Sequence, residues 1–227
     1  MLKIEKTDIY GWEAAIRGAR NSYNSWDKSD SYFGLMCDGD RTEDFIGLSD
    51  VALMKKLAKA GPSHAKYRRF ITVTMDVTGP LYWWKEMDTY KVGTVGNSCS
   101  TMHKIADKEF EFSDFSCEHL DTFREHSMYV PNRYNFSSKD LLDLEIQVLN
   151  QCRKKYLETE KRNKNYWWQM IQLLPSSYNQ KRTLLVNYEV LANIYHQRKG
   201  HKLDEWRTFC EWIEGLPMSE IITGEEK

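Results

Sequence analysis

The chain has 227 residues, of which 41% are hydrophobic and 13% aromatic, a composition that excludes intrinsic disorder and suffices for one domain with a substantial core. A formal net charge of −1 excludes a global pull towards nucleic acid, so any anion site must be local. The five cysteines, Cys37, Cys99, Cys117, Cys152 and Cys210, are scattered and form no C-x-x-C pair, which argues against a disulfide scaffold or zinc ribbon and for a reducing compartment. The N-terminus carries no long apolar run, and no segment approaches ~20 apolar residues, so neither a secretory signal nor a membrane span is expected. With no internal repeat and no Pro/Gly/Ser linker, the reading is one cytoplasmic domain over 1–227.

Leu2 to Ile9 alternates apolar and polar residues and reads as a short strand. Trp12 to Tyr23 reads as a helix, and Asn24 to Thr42, rich in Asp, Ser and Gly, as a loop. Ser49 or Asp50 is expected to cap a helix running to Ala60, stopped by Gly61-Pro62. Phe70 to Val77 is β-branched and alternating, hence a strand. Gly79-Pro80 breaks it, and proline suits the first turn of the next helix, expected to run to about Tyr90.

The stretch from Pro80 to His103 is the first candidate for function. It begins aromatic and amphipathic, then becomes a run of small and hydroxyl residues: Gly93, Thr94, Gly96, Asn97, Ser98, Ser100, Thr101. Glycines let a backbone approach a ligand closely, and hydroxyls and amides offer hydrogen bonds in several directions. An apolar element feeding such a loop can build an anion or nucleotide site, with Lys85, Lys91 and Arg198 as charge partners. An ordinary helix followed by a surface loop fits the same composition.

Further on, Cys117, His119 and His126 cluster in sequence, but C-x-H-x6-H is not a recognised zinc frame and lacks a ligand. Ser137 or Ser138 starts a long helix over roughly Lys139 to Arg162, with an apolar side that includes Leu142, Ile146 and Leu149. Tyr166 to Leu174 is apolar and ends at Pro175. Residues 181–186 read as a strand or the beginning of a helix. Asn187 to Arg198 has helical spacing, and Asp204 to Ile213 is a final amphipathic helix anchored by Trp206, Phe209 and Trp212. The tail after Pro217 is expected to fray.

No G-x-S-x-G elbow, P-loop or GxGxxG is present. A Cys99/His103 dyad is conceivable from proximity alone, and Ser100 could be a nucleophile only with a base that the sequence does not assign.

Several of these residues resemble motifs of the flavin-dependent thymidylate synthases (the ThyX family). Leu174-Pro175, then Asn187-Tyr188-Glu189, then Asn193 and Arg198 keep the spacing of that family's Leu-Pro, Asn-Ala-Arg, Asn and closing Arg. His64, the strand Phe70 to Val77, Pro80, Thr89-Tyr90-Lys91 and the run to His103 follow the order of its His motif, strand, proline-led helix and RHRxxSxNExSxRY. Asn97 and Ser100 fall on the Asn and second Ser if Gly96 is a one-residue insertion. The segment from Trp12 to Tyr23 is similar to its early AAR-x-SY.

The departures are equally specific. The RHR signature becomes Thr89-Tyr90-Lys91, and the closing Arg-Tyr becomes Met102-His103. Ser98 replaces the Glu of Asn-Glu, Glu189 replaces the Arg of Asn-Ala-Arg, and Ile171 stands where an Arg precedes Leu-Pro. Each lost Arg removes a bidentate partner for phosphate.

The resemblance implies an α/β (α+β) fold with a central, mostly antiparallel sheet and flanking helices. It implies FAD as cofactor, dUMP, methylenetetrahydrofolate and NADPH as small-molecule partners, and a homotetramer. By position it assigns His64, Lys91, Asn97, Asn187 and Asn193 to FAD, and Glu86, Ser100, Thr101 and Arg198 to dUMP. Ser100 and Arg198 would be the residues nearest the reaction, Ser100 as a binding hydroxyl. No metal is implied. A nucleotide-binding homologue without catalysis, or a plain interaction module, are the alternative readings.

Overall fold

The computed structural model of the chain describes residues 2–34, 36–37, 40–41, 44–122 and 137–224. Strand β1 (Lys3–Tyr10) ends at Gly11, whose φ is +91° and whose hydrogen faces the Phe70 carbonyl oxygen; a Cβ there would come within 2.0 Å of that oxygen. Only glycine permits this turn into helix α1 (Trp12–Asn21), which buries Ala15, Ile16 and Ala19. The stretch expected as loop contains a two-residue antiparallel ladder of β2 (Met36–Cys37) with β3 (Asp40–Arg41).

Helix α2 spans Leu48–Lys59, with Gly47 at its N-cap. Ser49 and Asp50, expected as caps, lie inside the first turn. The Asp30 carboxylate does the capping, accepting from the backbone N–H of Ser49 (2.8 Å) and of Asp50 (3.1 Å). A cap supplied from a separate loop leaves no local pattern to read. Strand β4 (Thr72–Pro80) alternates as expected, burying Val73, Met75 and Val77.

Pro80 is the N-cap of α3 (Leu81–Met87), which stops short of Tyr90. The polar stretch that follows is not all loop. Val95–Ser98 forms β5, with every residue exposed, and Thr101–Lys104 forms the short helix α4. A strand held by its backbone ladder alone has no apolar alternation to announce it.

Helix α5 (Ser138–Glu158) starts as expected: Ser137 and Asp140 exchange side-chain-to-backbone hydrogen bonds of 3.1 and 3.0 Å. Helix α6 (Lys164–Leu173) ends ahead of Pro175. Residues 181–186 resolve as strand, inside β6 (Asn179–Asn187). Helices α7 (Tyr188–Arg198) and α8 (Asp204–Glu214) follow. The tail does not fray at Pro217: α9 (Glu220–Thr223) buries Ile221 and Ile222 completely, and that burial offsets the entropy of ordering the segment. His126 and residues 225–227 lie outside the described residues.

The main sheet is antiparallel, in the order β1-β4-β6-β5, with helices beside it: the α+β architecture expected. Contacts divide the chain into two compact units. One comprises Met1–Lys3, Val77–Asp88 and Asn97–Arg182; its core joins Ile105, Phe110, Phe115, Leu142, Leu149 and Met170. The other comprises Ile4–Asp76, Thr89–Gly96 and Thr183–Lys227; Tyr188, Leu191 and Ile194 of α7 and Trp206 and Phe209 of α8 are fully buried there. Among the described residues, no helix is long and apolar enough to cross a membrane, and no group of three or more His, Cys, Asp or Glu side chains could hold a metal.

Candidate functional site

The second unit places the segment Thr89–Gly96 against α7. Asn187 is the N-cap of α7, its side-chain oxygen accepting from the Val190 N–H at 3.0 Å. Its amide nitrogen faces Gly93, where φ is +79° and an added Cβ would come within 2.9 Å of Asn187 Nδ2. The next residue, Thr94, has a buried hydroxyl with no hydrogen-bond partner. A helix start, a close backbone approach and an orphaned hydroxyl in sequence form a cradle for a group that carries its own donors and acceptors.

The other end of α7 holds Arg198. Its Nε donates to the Tyr90 hydroxyl at 2.9 Å, and that hydroxyl donates in turn to Gln197 Oε1 at 2.9 Å. The guanidinium carbon lies 4.6 Å from the Trp206 ring centroid and 5.6 Å from that of Tyr90, and Nη1 is 3.2 Å from His201 Nε2. The cation thus lies over two aromatic rings at a half-buried position, where weak hydration strengthens any contact with an anion. Lys91, next to Tyr90, is exposed and has no ion-pair partner among the described residues.

Glu189, which stands where the family resemblance has Arg, is buried beside Arg68 of the 3₁₀ turn Ala65–Phe70, with Oε2 3.5 Å from Nη1. The charge inversion at 189 is therefore met by an arginine from elsewhere in the chain. Neighbouring Tyr67 donates its hydroxyl to the Met54 carbonyl at 2.7 Å, and burial pushes its pKa up to about 12. His64, just ahead of this turn, and Asn193, on α7, are exposed, with no side-chain partner among the described residues.

In the first unit, Gln180 organises the turn into α4. Its Nε2 donates to the Cys99 carbonyl (3.0 Å) and to the Thr101 hydroxyl (3.1 Å), while its Oε1 accepts from Arg182 Nε (2.9 Å). Arg182 is itself fixed, with Nη1 2.7 Å from Asp88 and its guanidinium 4.2 Å from the Trp84 ring centroid. Ser100 is the N-cap of α4, accepting from the His103 N–H at 3.4 Å. Asn97 is exposed on β5 and Glu86 half-buried on α3.

The structure therefore brings Asn187, Lys91 and Arg198 around one segment and Ser100 and Thr101 into one turn. It leaves His64 and Asn193 at separate exposed positions. Sequence reasoning missed Tyr90, Trp206, Arg68 and Gln180. Tyr90 was legible only as a departure from the family's His, and the ring of α8 that Arg198 meets is set by packing.

No protein-family model matches the sequence, and no curated protein sequence is detectably similar to it. Solved structures do match. Two crystal structures of the flavin-dependent thymidylate synthase ThyX from Helicobacter pylori, both with FAD and dUMP, align with a TM-score of 0.64. Their identities are 16% and 17%, and the alignments cover 99% of this chain and 98% and 100% of theirs. The UMP/dUMP methylase PolB from Streptomyces cacaoi, bound with 5-Br dUMP, aligns with a TM-score of 0.59 and 14% identity, covering 99% of this chain and 95% of that one. The chain has the fold of the ThyX synthases along its length, with a widely diverged sequence.

Proposed function

We propose that the protein is a FAD-dependent thymidylate synthase-like enzyme that methylates dUMP to dTMP with methylenetetrahydrofolate, NADPH serving as reductant. The observation that carries this reading is Arg198, an arginine that lies over the Trp206 ring and donates to the Tyr90 hydroxyl, beside the uncommitted cation Lys91. That arrangement suits a nucleotide phosphate, which an ordered guanidinium meets at little entropic cost.

The chain's residues fit a flavin at the start of α7. Thr94 offers an orphaned buried hydroxyl there, Asn187 an amide facing the Gly93 backbone and Lys91 an uncommitted side chain; the reading also assigns flavin contacts to His64 and Asn193, which lie at separate exposed positions. Bound there, reduced FAD would supply the electrons that turn a transferred one-carbon unit into a methyl group. The same reading gives Asn97 a flavin contact and gives Glu86, Ser100 and Thr101 contacts to the nucleotide. Each is tested singly by substitution. A homotetramer, expected from the resemblance, is tested by light scattering.

The first experiment is an absorption spectrum of the purified protein with and without FAD, followed by titration with dUMP. Uptake of a flavin band that dUMP perturbs is the expected result. Arg198→Ala should weaken dUMP about 10- to 100-fold, the effect of losing a charged hydrogen bond, and Tyr90→Phe a few-fold by loosening the guanidinium. Unchanged dUMP affinity in both variants would overturn the assignment of Arg198. A second reading, a pyrimidine-nucleotide binder without flavin chemistry, is favoured by Met102, Ile171 and Glu189 at positions where the resemblance has arginines. Tight dUMP binding by a protein that takes up no FAD would identify it.

A further inference from the structure

The second unit contains a cleft of about 390 Å³, within the range of small-molecule sites, and none of the residues assigned above to FAD or dUMP lines it. It runs along α1, where Glu13, Ile16 and Arg17 fall on one face at helical spacing, and the segment after α1 closes it with Trp26, Tyr32 and Phe33. We propose that this cleft binds a free α-amino acid with a large apolar side chain: Glu13 meets the ammonium, Arg17 the carboxylate, and the side chain lies against Trp26 and Tyr32.

The floor of the cleft is fixed and already neutralised. Arg20 is buried and spends Nε on Asp50 (2.7 Å) and Nη2 on Ser49 (2.8 Å). Ser29 and Ser31 donate to the same Asp50 carboxylate at 2.7 and 2.6 Å. The Arg20 charge is thus met from within the fold and asks no counter-ion of a ligand.

The aromatic walls are anchored yet uncovered. Tyr32 stacks on Phe45, with ring centroids 5.0 Å apart and planes at 22°, and the two residues exchange backbone hydrogen bonds of 2.9 Å in each direction. The Trp26 indole N–H donates to Asn21 Oδ1 at 2.6 Å, which ties the ring to the C-terminal end of α1. Trp26 is nevertheless 53% exposed and Tyr32 46%. Two held rings beside a concavity leave apolar area for a ligand side chain to cover without ordering the protein further.

The rim brings opposite charges together. Arg17 Nη1 lies 3.4 Å from Glu13 Oε1, one helical turn away, and both side chains are mostly exposed. Neither has another side-chain partner among the described residues. An exposed i,i+4 pair of this kind contributes little and exchanges readily. A carboxylate and a guanidinium so close match the ammonium and carboxylate that an α-amino acid carries on one carbon. The bound zwitterion replaces one weak ion pair by two, beside rings that exclude water from one side. A ligand with only one of the two charges leaves Glu13 or Arg17 without its partner, so the cleft selects the zwitterion over the related amine or acid.

The inference goes beyond the proposed synthase activity and does not rest on it. The test is calorimetric titration of the full chain with L-phenylalanine. Phenethylamine and 3-phenylpropionate, each with the same ring and one of the two charges, serve as controls. Expected are binding of L-phenylalanine, at least tenfold weaker binding of each control, and a loss of about tenfold for Glu13→Gln, Arg17→Gln and Trp26→Ala. All three substituted side chains are exposed, and circular dichroism checks that the variants fold. L-Phenylalanine should bind equally well in the presence of saturating dUMP. No binding of L-phenylalanine, equal binding of either control, binding indifferent to any of the three substitutions, or displacement by dUMP overturns the proposal.

Discussion

Two buried arginine–carboxylate pairs lie in the same unit, and they are built to different standards. Arg20 Nε is 2.7 Å from Asp50, and its Nη2 donates to the Ser49 hydroxyl at 2.8 Å. Asp50 also accepts from the hydroxyls of Ser29 (2.7 Å) and Ser31 (2.6 Å) and from the Asp30 N–H (3.2 Å). In the Arg68–Glu189 pair the closest approach is 3.5 Å, and both Arg68 Nε and Glu189 Oε2 lack hydrogen-bond partners. Burying charge is costly, and only a complete set of hydrogen bonds offsets the cost. The first pair is therefore scaffold, stitching the loop after α1 to α2. The second is a looser pair at the start of α7, beside the residues proposed to hold a ligand, at a position where the ThyX resemblance has an arginine.

The sharpest way to break this comparison is to remove one partner from each pair. Asp50→Ala should cost about 3–5 kcal/mol in urea denaturation, because Arg20 is left buried without its carboxylate. Glu189→Gln should cost less, about 1–2 kcal/mol, because the bonds it removes are already poor. Equal costs would mean that the geometric difference has no energetic meaning.

Acid should distinguish the pairs as well. Burial alone would raise the Asp50 carboxyl, but hydrogen bonds from Ser31, Ser29 and Arg20 outweigh it and hold its pKa below the usual 3.8. A carboxylate whose pKa is lowered by folding adds stability above its unfolded pKa and loses it as pH falls through the lower, folded value. Stability of the wild type should thus fall steeply below pH 3.8, and Asp50→Asn should flatten that part of the curve. A curve unchanged by Asp50→Asn would assign the acid sensitivity elsewhere. Gly93→Ala should cost about as much as Glu189→Gln, about 1–2 kcal/mol, from the left-handed backbone and the contact with Asn187. Loss of FAD uptake by this variant, with stability otherwise preserved, would tie the cradle to the ligand.

Much of the framework was legible in the chain itself. The alternation at Val73, Met75 and Val77, the Ser137/Asp140 capping pattern and the apolar side of α7 are local signals, and each element formed where they pointed. The spacing from Leu174-Pro175 to Asn187, Asn193 and Arg198 pointed to the ThyX fold, which solved structures share at 16–17% identity. Less legible were β5, held by its ladder without an apolar pattern, and α9, whose short run of apolar residues is meaningful only once buried. The cap of α2 was invisible because Asp30 supplies it across a loop.

By itself, the sequence determined the strands and helices whose side-chain periodicity matches their geometry, and it placed Asn187 and Arg198 at the two ends of one helix. The tertiary structure alone decided what those residues meet: Tyr90 and Trp206 around Arg198, Gly93 against Asn187, Arg68 beside Glu189. The reason is physical. Periodicity and capping act over a few neighbouring residues, whereas the partner of a buried charge is fixed by packing between segments far apart in the chain.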